Sequence, residues 1–142
     1  MMNNFVDIAL KIAAKAHKGQ VDKAGKHYIH HPIHVASMMD TDEEKAVALL
    51  HDIIEDTCYT KDMLLKAGIP QNVADAVEIM THTDGTDYFE YLAQVKTNPL
   101  ALAVKIQDIT HNSDISRIKH PTENDYKRLE KYKKALEYLT EK

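Results

Sequence analysis

The apolar run Ala46-Val-Ala-Leu-Leu50 ends on two polar residues, His51 and Asp52. A run of this kind reads as a buried helix, and a His–Asp pair at its end costs desolvation free energy unless something pairs with it. A divalent metal is the natural partner, because imidazole nitrogen and carboxylate oxygen are both good ligands for it. Glu55 and Asp56 follow. On a helix 51/55 and 52/56 are i,i+4 pairs, so all four polar groups are expected to fall near one another. The stretch therefore predicts a site built at the end of a buried helix.

The rest of the chain reads as helices too, giving an all-α, compact single domain over residues 1–142 with about seven to eight helices. The first runs from Val6 to about His17, and residues 18–29, with two glycines and mixed charge, read as a loop. Pro32 suits the first turn of a second helix, His31 to about Met39. Thr41 and Glu44 have capping-box spacing and start a third, reaching about Ile54. Thr60 caps a short fourth that stops at Gly68. Pro70 opens a fifth through Met80, and a polar loop, residues 81–86, leads to a sixth from Asp87 to Val95. A seventh spans Leu100 to about His111, and Pro121-Thr122 starts the last, with Leu129, Tyr132, Leu136 and Leu139 inward. Nothing reads as a strand.

Composition narrows the function classes. A net charge of −4 argues against non-specific nucleic-acid binding, which needs a basic face. No segment approaches the roughly 18 uninterrupted apolar residues of a membrane helix, and no signal peptide is visible. The single cysteine, Cys58, excludes an internal disulfide framework and fits a reducing cytosol, where it reads as a packing residue. The expected protein is cytoplasmic and acts on a small molecule, without nucleic acid or membrane. A homodimer through an exposed helix stays open.

Three separated places supply metal-type ligands: His30-His31, His51-Asp52 and Asp108. Position before Pro32 favours His31 over its neighbour. Asp108 lies among Val104, Ile106 and Ile109, so it is expected to be partly buried and to need a cation or several hydrogen bonds. Such a mixed nitrogen and oxygen set suits manganese, iron, cobalt, nickel or zinc. A metal so held lowers the pKa of water, and Glu55 and Asp56 would orient that water or move its proton. Asn112, four residues beyond Asp108, could hydrogen-bond a phosphate or a ligand. Lys105, three before it, would neutralise substrate charge or pair with an acid. Lys18, Lys23 and Lys26 are candidate phosphate contacts. His17, His27, His82, His111 and His120 read individually as surface or packing residues, and Tyr126–Tyr138 as core packing.

These residues carry a family resemblance. Ala16-His-Lys-Gly-Gln-Val-Asp-Lys-Ala-Gly-Lys-His-Tyr-Ile-His-His-Pro32, Ala48-Leu-Leu-His-Asp-Ile-Ile-Glu-Asp-Thr57 and Lys105-Ile-Gln-Asp-Ile-Thr-His-Asn112 stand in the order of three motifs. Together they resemble the HD-domain hydrolases of the RelA/SpoT group, including its small stand-alone alarmone hydrolases. The resemblance implies an all-helical fold and a metal, typically manganese, held by His31, His51, Asp52 and Asp108. It also implies water activation by Glu55 and Asp56, with Asn112 near the substrate. The implied reaction removes the 3′-diphosphate of (p)ppGpp, leaving pyrophosphate and GDP or GTP. Two departures bear on substrate: Asp22 stands before Lys23 where the family has an Arg, and Asp114 replaces another Arg. An Asp neither stacks on a base nor pairs with phosphate, so an Arg introduced at position 22 is expected to raise ppGpp turnover. Two alternatives remain beside that reading. One is an HD phosphohydrolase of another nucleotide or phosphate ester; the other is a metal- or nucleotide-binding sensor without turnover.

Overall fold

In the computed structural model, which describes residues 4–22, 25–83 and 85–141, helices follow the local signals of the sequence. They are α1 (Phe5–Ala16), α2 (His30–Ser37), α3 (Asp42–Leu50), α4 (Ile53–Asp56), α5 (Lys61–Lys66), α6 (Gln71–Ile79), α7 (Tyr88–Lys96), α8 (Pro99–Asn112) and α9 (Glu123–Thr140). A 3₁₀ turn, Ile115–Arg117, joins the last two. The only β pairing among the described residues is an isolated bridge between Val21 and His27. Among the described residues no helix is long and apolar enough to cross a membrane.

Capping chemistry fixes most of the ends. Thr41 accepts from Glu44 N–H while the Glu44 carboxylate accepts from Thr41 N–H, so α3 opens on the predicted capping box. Thr122 and Asp125 make a second capping box at α9, and Asn98 caps α8 ahead of Pro99. Thr60 caps α5, which closes at Gly68: Ile69 N–H donates to Leu64 O at 3.1 Å and Gly68 N–H to Leu65 O at 3.2 Å. That double bond pattern is a Schellman motif, and it needs the left-handed backbone that Gly68 adopts at φ +104°.

Ala46 to Leu50 are all buried, and α3 packs against α1, α2, α6 and α8. One core runs through the described residues, from Ala9 in α1 to Leu139 in α9.

The third helix does not continue to Ile54. It ends at Leu50, and Asp52 sits at φ −102°, ψ 1° before the single turn of α4 resumes. In a continuing helix the Ala48 carbonyl would serve the Asp52 N–H; here it takes a hydrogen bond from His51 Nδ1 at 2.6 Å. Counting α3 and α4 as one broken helix gives eight helices among the described residues. Two smaller expectations are corrected. Cys58 is exposed, because it lies in the link between α4 and α5. Tyr126 is 54% exposed, whereas Tyr132 and Tyr138 pack on the core. Residues six apart are about 240° round a helix, so the tyrosines never shared one face.

Candidate metal centre and its two pockets

α2, α3 and α8 meet at three buried side chains. His31 comes from the first turn of α2, His51 caps α3, and Asp108 lies on the inner face of α8. One ligand atom from each lies within 4.8 Å of the other two, a group that could hold a metal ion. His31 Nε2 is 2.8 Å from Asp108 Oδ1. His51 Nε2 is 3.2 Å from Asp52 Oδ2 and 3.3 Å from Asp108 Oδ1. Asp52 thus joins the group through His51, and the Tyr28 hydroxyl donates to Asp52 Oδ2 from the loop before α2.

The tautomer of His51 shows what this cluster is suited to. A carbonyl only accepts, so the Ala48 contact places the ring hydrogen on Nδ1 and leaves a lone pair on Nε2 of the neutral ring. Nε2 is buried and finds no hydrogen-bond partner among the described residues. A lone pair facing two carboxylates is repulsive, and a cation between them removes the repulsion. These residues therefore fit a divalent metal.

The surrounding charges act on the same residues. Burial would raise the Asp108 carboxyl, but the Lys105 ammonium at 3.0 Å outweighs burial and holds it well below the usual carboxylate range. Burial would likewise lower Lys105, yet Asp108 keeps its ammonium well above its ordinary value. Burial, then the charges of Asp108 and Asp56, push Asp52 well up. Burial lowers His31 against the opposing pull of Asp108, favouring the neutral, ligating form. His31 Nδ1 lies 2.7 Å from His111 Nδ1, and His111 stacks on His34 at 4.1 Å. Burial, with Arg117 and His31 adding to it, lowers His111 to about 4.

Two pockets flank the cluster. A cavity of about 170 Å³ is lined by Asp52, Glu55, His82, Lys105, Asp108 and Lys131, among others. A second, of about 340 Å³, is lined by Asp22, Tyr28, Asp114, Arg117 and Arg128. Asn112 and Tyr132 belong to both walls, and Asn112 Nδ2 donates to Asp108 Oδ1 at 3.1 Å.

The break at Asp52 separates the two acids beyond it. Glu55 lines the small cavity, where its Oε1 accepts from His82 N–H at 2.8 Å. Asp56 is exposed and lines neither pocket, though its charge acts on Asp52 and on His17. Lys105 and Asn112 stand where the spacing put them. Lys26 is exposed and outside both walls, and Lys23 lies outside the described residues. Sequence reasoning passed over Tyr28, Arg117, Arg128 and Lys131, and assigned His82, His111 and Tyr132 to surface or packing. Tyr28 had a signal in its place three residues before His31; Arg117 and Arg128 had none, since only folding brings them beside Asp22.

Known proteins resemble this chain in sequence and in fold. Residues 9–136 match the HD domain. The guanosine-3′,5′-bis(diphosphate) 3′-pyrophosphohydrolase of Haemophilus influenzae is 34% identical over 71% of the chain. The bifunctional (p)ppGpp synthase/hydrolase SpoT of Escherichia coli K12 is 32% identical over 73% of it. Both are far longer, and the chain spans 17% of each. A solved structure of a metazoan SpoT orthologue that hydrolyses ppGpp superposes with a TM-score of 0.78. It covers 99% of this chain and 88% of its own, at 20% identity, which establishes a shared fold. The chain belongs to the HD-domain family and, within it, to the relatives of the RelA/SpoT hydrolases.

Proposed function

We propose that this chain is a metal-dependent phosphohydrolase that removes the 3′-diphosphate of (p)ppGpp, releasing pyrophosphate and GDP or GTP. The observation that carries the reading is His51, with Nδ1 committed to the Ala48 carbonyl and Nε2 facing Asp52 and Asp108, two carboxylates in the wall of a small cavity that shares Asn112 and Tyr132 with a larger pocket. His31, His51, Asp52 and Asp108 would hold the ion, most simply manganese. Such an ion supplies Lewis acidity at phosphorus and lowers the pKa of water.

The residues around it divide the remaining work. With an ion bound, Lys105 and Lys131 would offset Asp52, Glu55 and Asp108 in the small cavity and receive a compact polyanion, and the larger pocket is of nucleoside size. Glu55, in the wall of the small cavity, orients the attacking water and takes its proton. Water oxygen bonds to phosphorus, the phosphorus–oxygen bond to the ribose breaks, and the ribose oxygen leaves with a proton. Asp56, exposed and outside both pocket walls, takes no direct part in this step. Asn112 holds Asp108 and borders both pockets. A cytoplasmic location follows from the substrate and from the lone Cys58.

Asp22 and Asp114 in the larger wall favour one second reading, the same chemistry on another nucleotide. Glu55→Gln tests the assignment. Manganese and nucleotide binding should persist while hydrolysis falls at least a hundredfold; undiminished hydrolysis in the variant would remove Glu55 from the mechanism. A wild-type protein that binds both but turns over no nucleotide would be a sensor.

A further inference from the structure

We infer that Asp22 and Arg117 form one specificity-determining unit, in which Asp22 holds the Arg117 guanidinium as a flat platform for the base of a bound nucleotide. The inference rests on the reading of the larger pocket as the nucleoside side of the site.

Arg117 lies in the 3₁₀ turn after α8, ninety-five positions from Asp22, and bridges two parts of the chain. One terminal nitrogen donates to Asp22 Oδ2 at 3.1 Å and the other to the His111 carbonyl at 3.1 Å. Two bonds from opposite ends of a planar group fix its plane. Asp22 is anchored in turn: its Oδ1 accepts from Lys26 N–H at 3.0 Å, and its own N–H donates to Lys26 O at 2.8 Å. The side chains of Asp22 and Arg117 are 15% and 27% exposed, so the pair is partly withdrawn from solvent screening.

Both residues line the 340 Å³ pocket with Tyr28, Tyr132, Val21 and Ile118. The Asp22 carboxylate offsets the Arg117 charge, so the pair attracts a phosphate weakly. A guanidinium whose plane is fixed among rings and apolar side chains is instead suited to stacking on a π-system. Asp22 is thus a positioning residue that acts through Arg117. The expectation that an Arg at position 22 raises turnover reverses, because Asp22→Arg alone would set two guanidinium groups against each other.

The test measures binding of GDP and of inorganic pyrophosphate to the manganese-loaded full chain by titration calorimetry. Asp22→Arg, Arg117→Asp, Arg117→Lys and the exchanged double variant are compared with wild type. Each single variant should bind GDP roughly tenfold more weakly. The Lys variant is included because it keeps the charge and loses the plane. The exchange should recover most of the loss, and pyrophosphate should bind all five proteins alike. With ppGpp as substrate, the single variants should raise KM and leave kcat unchanged. Equal GDP affinity in the single variants, no recovery in the exchange, a parallel loss of pyrophosphate binding, or a wild type that does not bind GDP would each overturn the inference. A wild type that binds GDP in this pattern but releases no pyrophosphate from ppGpp would end the (p)ppGpp reading and leave the inference standing.

Discussion

The two ring nitrogens of His51 have separate obligations, and the site follows from them. Nδ1 is committed to the Ala48 carbonyl, and Nε2 therefore faces Asp52 and Asp108 as a lone pair. The Tyr28 hydroxyl donates to the same Asp52 oxygen, Oδ2, that faces His51. Removing that donor in Tyr28→Phe should weaken manganese binding about tenfold to a hundredfold, the usual effect of losing a group that orients a ligand. Calorimetric titration checks this, and unchanged affinity would show that Asp52 needs no such hold. Much of this scale was legible in the sequence. His31 is 3% exposed while His30 is exposed, as the position before Pro32 suggested. Buried Asp108 and its partners Lys105 and Asn112 followed from an acid set in an apolar helix. What spacing could not show is that Glu55 and Asp56 part company. Their separation depends on a break in backbone direction at Asp52, and helical periodicity carries no sign of it.

Helix ends were legible wherever a side chain or a glycine marks them. Thr41 and Thr60 cap the helices they were expected to cap, and Thr122, where the last helix was expected to start, caps that one. Gly68 is the clearest stop, with φ +104° and with Ile8 Cδ1 3.3 Å from where a Cβ would stand. Gly68→Ala should destabilise the protein by about 1–2 kcal/mol, the cost of a left-handed alanine, read as a lower urea midpoint. The junction of α6 and α7 carries a pH signature. The Tyr91 hydroxyl donates to the Met80 carbonyl at the end of α6, and burial pushes the phenol up to about 12 against an ordinary value of 10.0. The unfolded chain releases that proton first. This contribution to stability is therefore fully present below pH 10 and is lost as pH rises toward 12, by about 2–3 kcal/mol at the limit. Tyr91→Phe should flatten the fall in urea midpoint between pH 9 and 11.5; an equal fall in both proteins would contradict the assignment.

Over the whole molecule, the candidate metal centre ties α2, α3 and α8 together through residues far apart in sequence. A ligand that binds only the folded state stabilises it by about 2.7 kcal/mol at a concentration a hundred times its dissociation constant. Manganese should therefore raise the thermal midpoint of the protein, and chelation should reverse the shift. Asp108→Ala should abolish the response, and an ion-independent midpoint would argue that the cluster holds no metal. The all-helical architecture was legible because apolar spacing, caps and proline positions all pointed to helices. The division of the site into two pockets was not. It depends on α9 supplying Arg128, Lys131 and Tyr132, and on a pairing of Asp22 with Arg117 that no local pattern encodes. The measurement that tests the central claim most directly is pyrophosphate release from ppGpp by the purified, manganese-loaded protein, beside an Asp52→Ala control. Rapid release by the wild type that vanishes in the control is the predicted result. No release from folded, manganese-loaded wild type would contradict it.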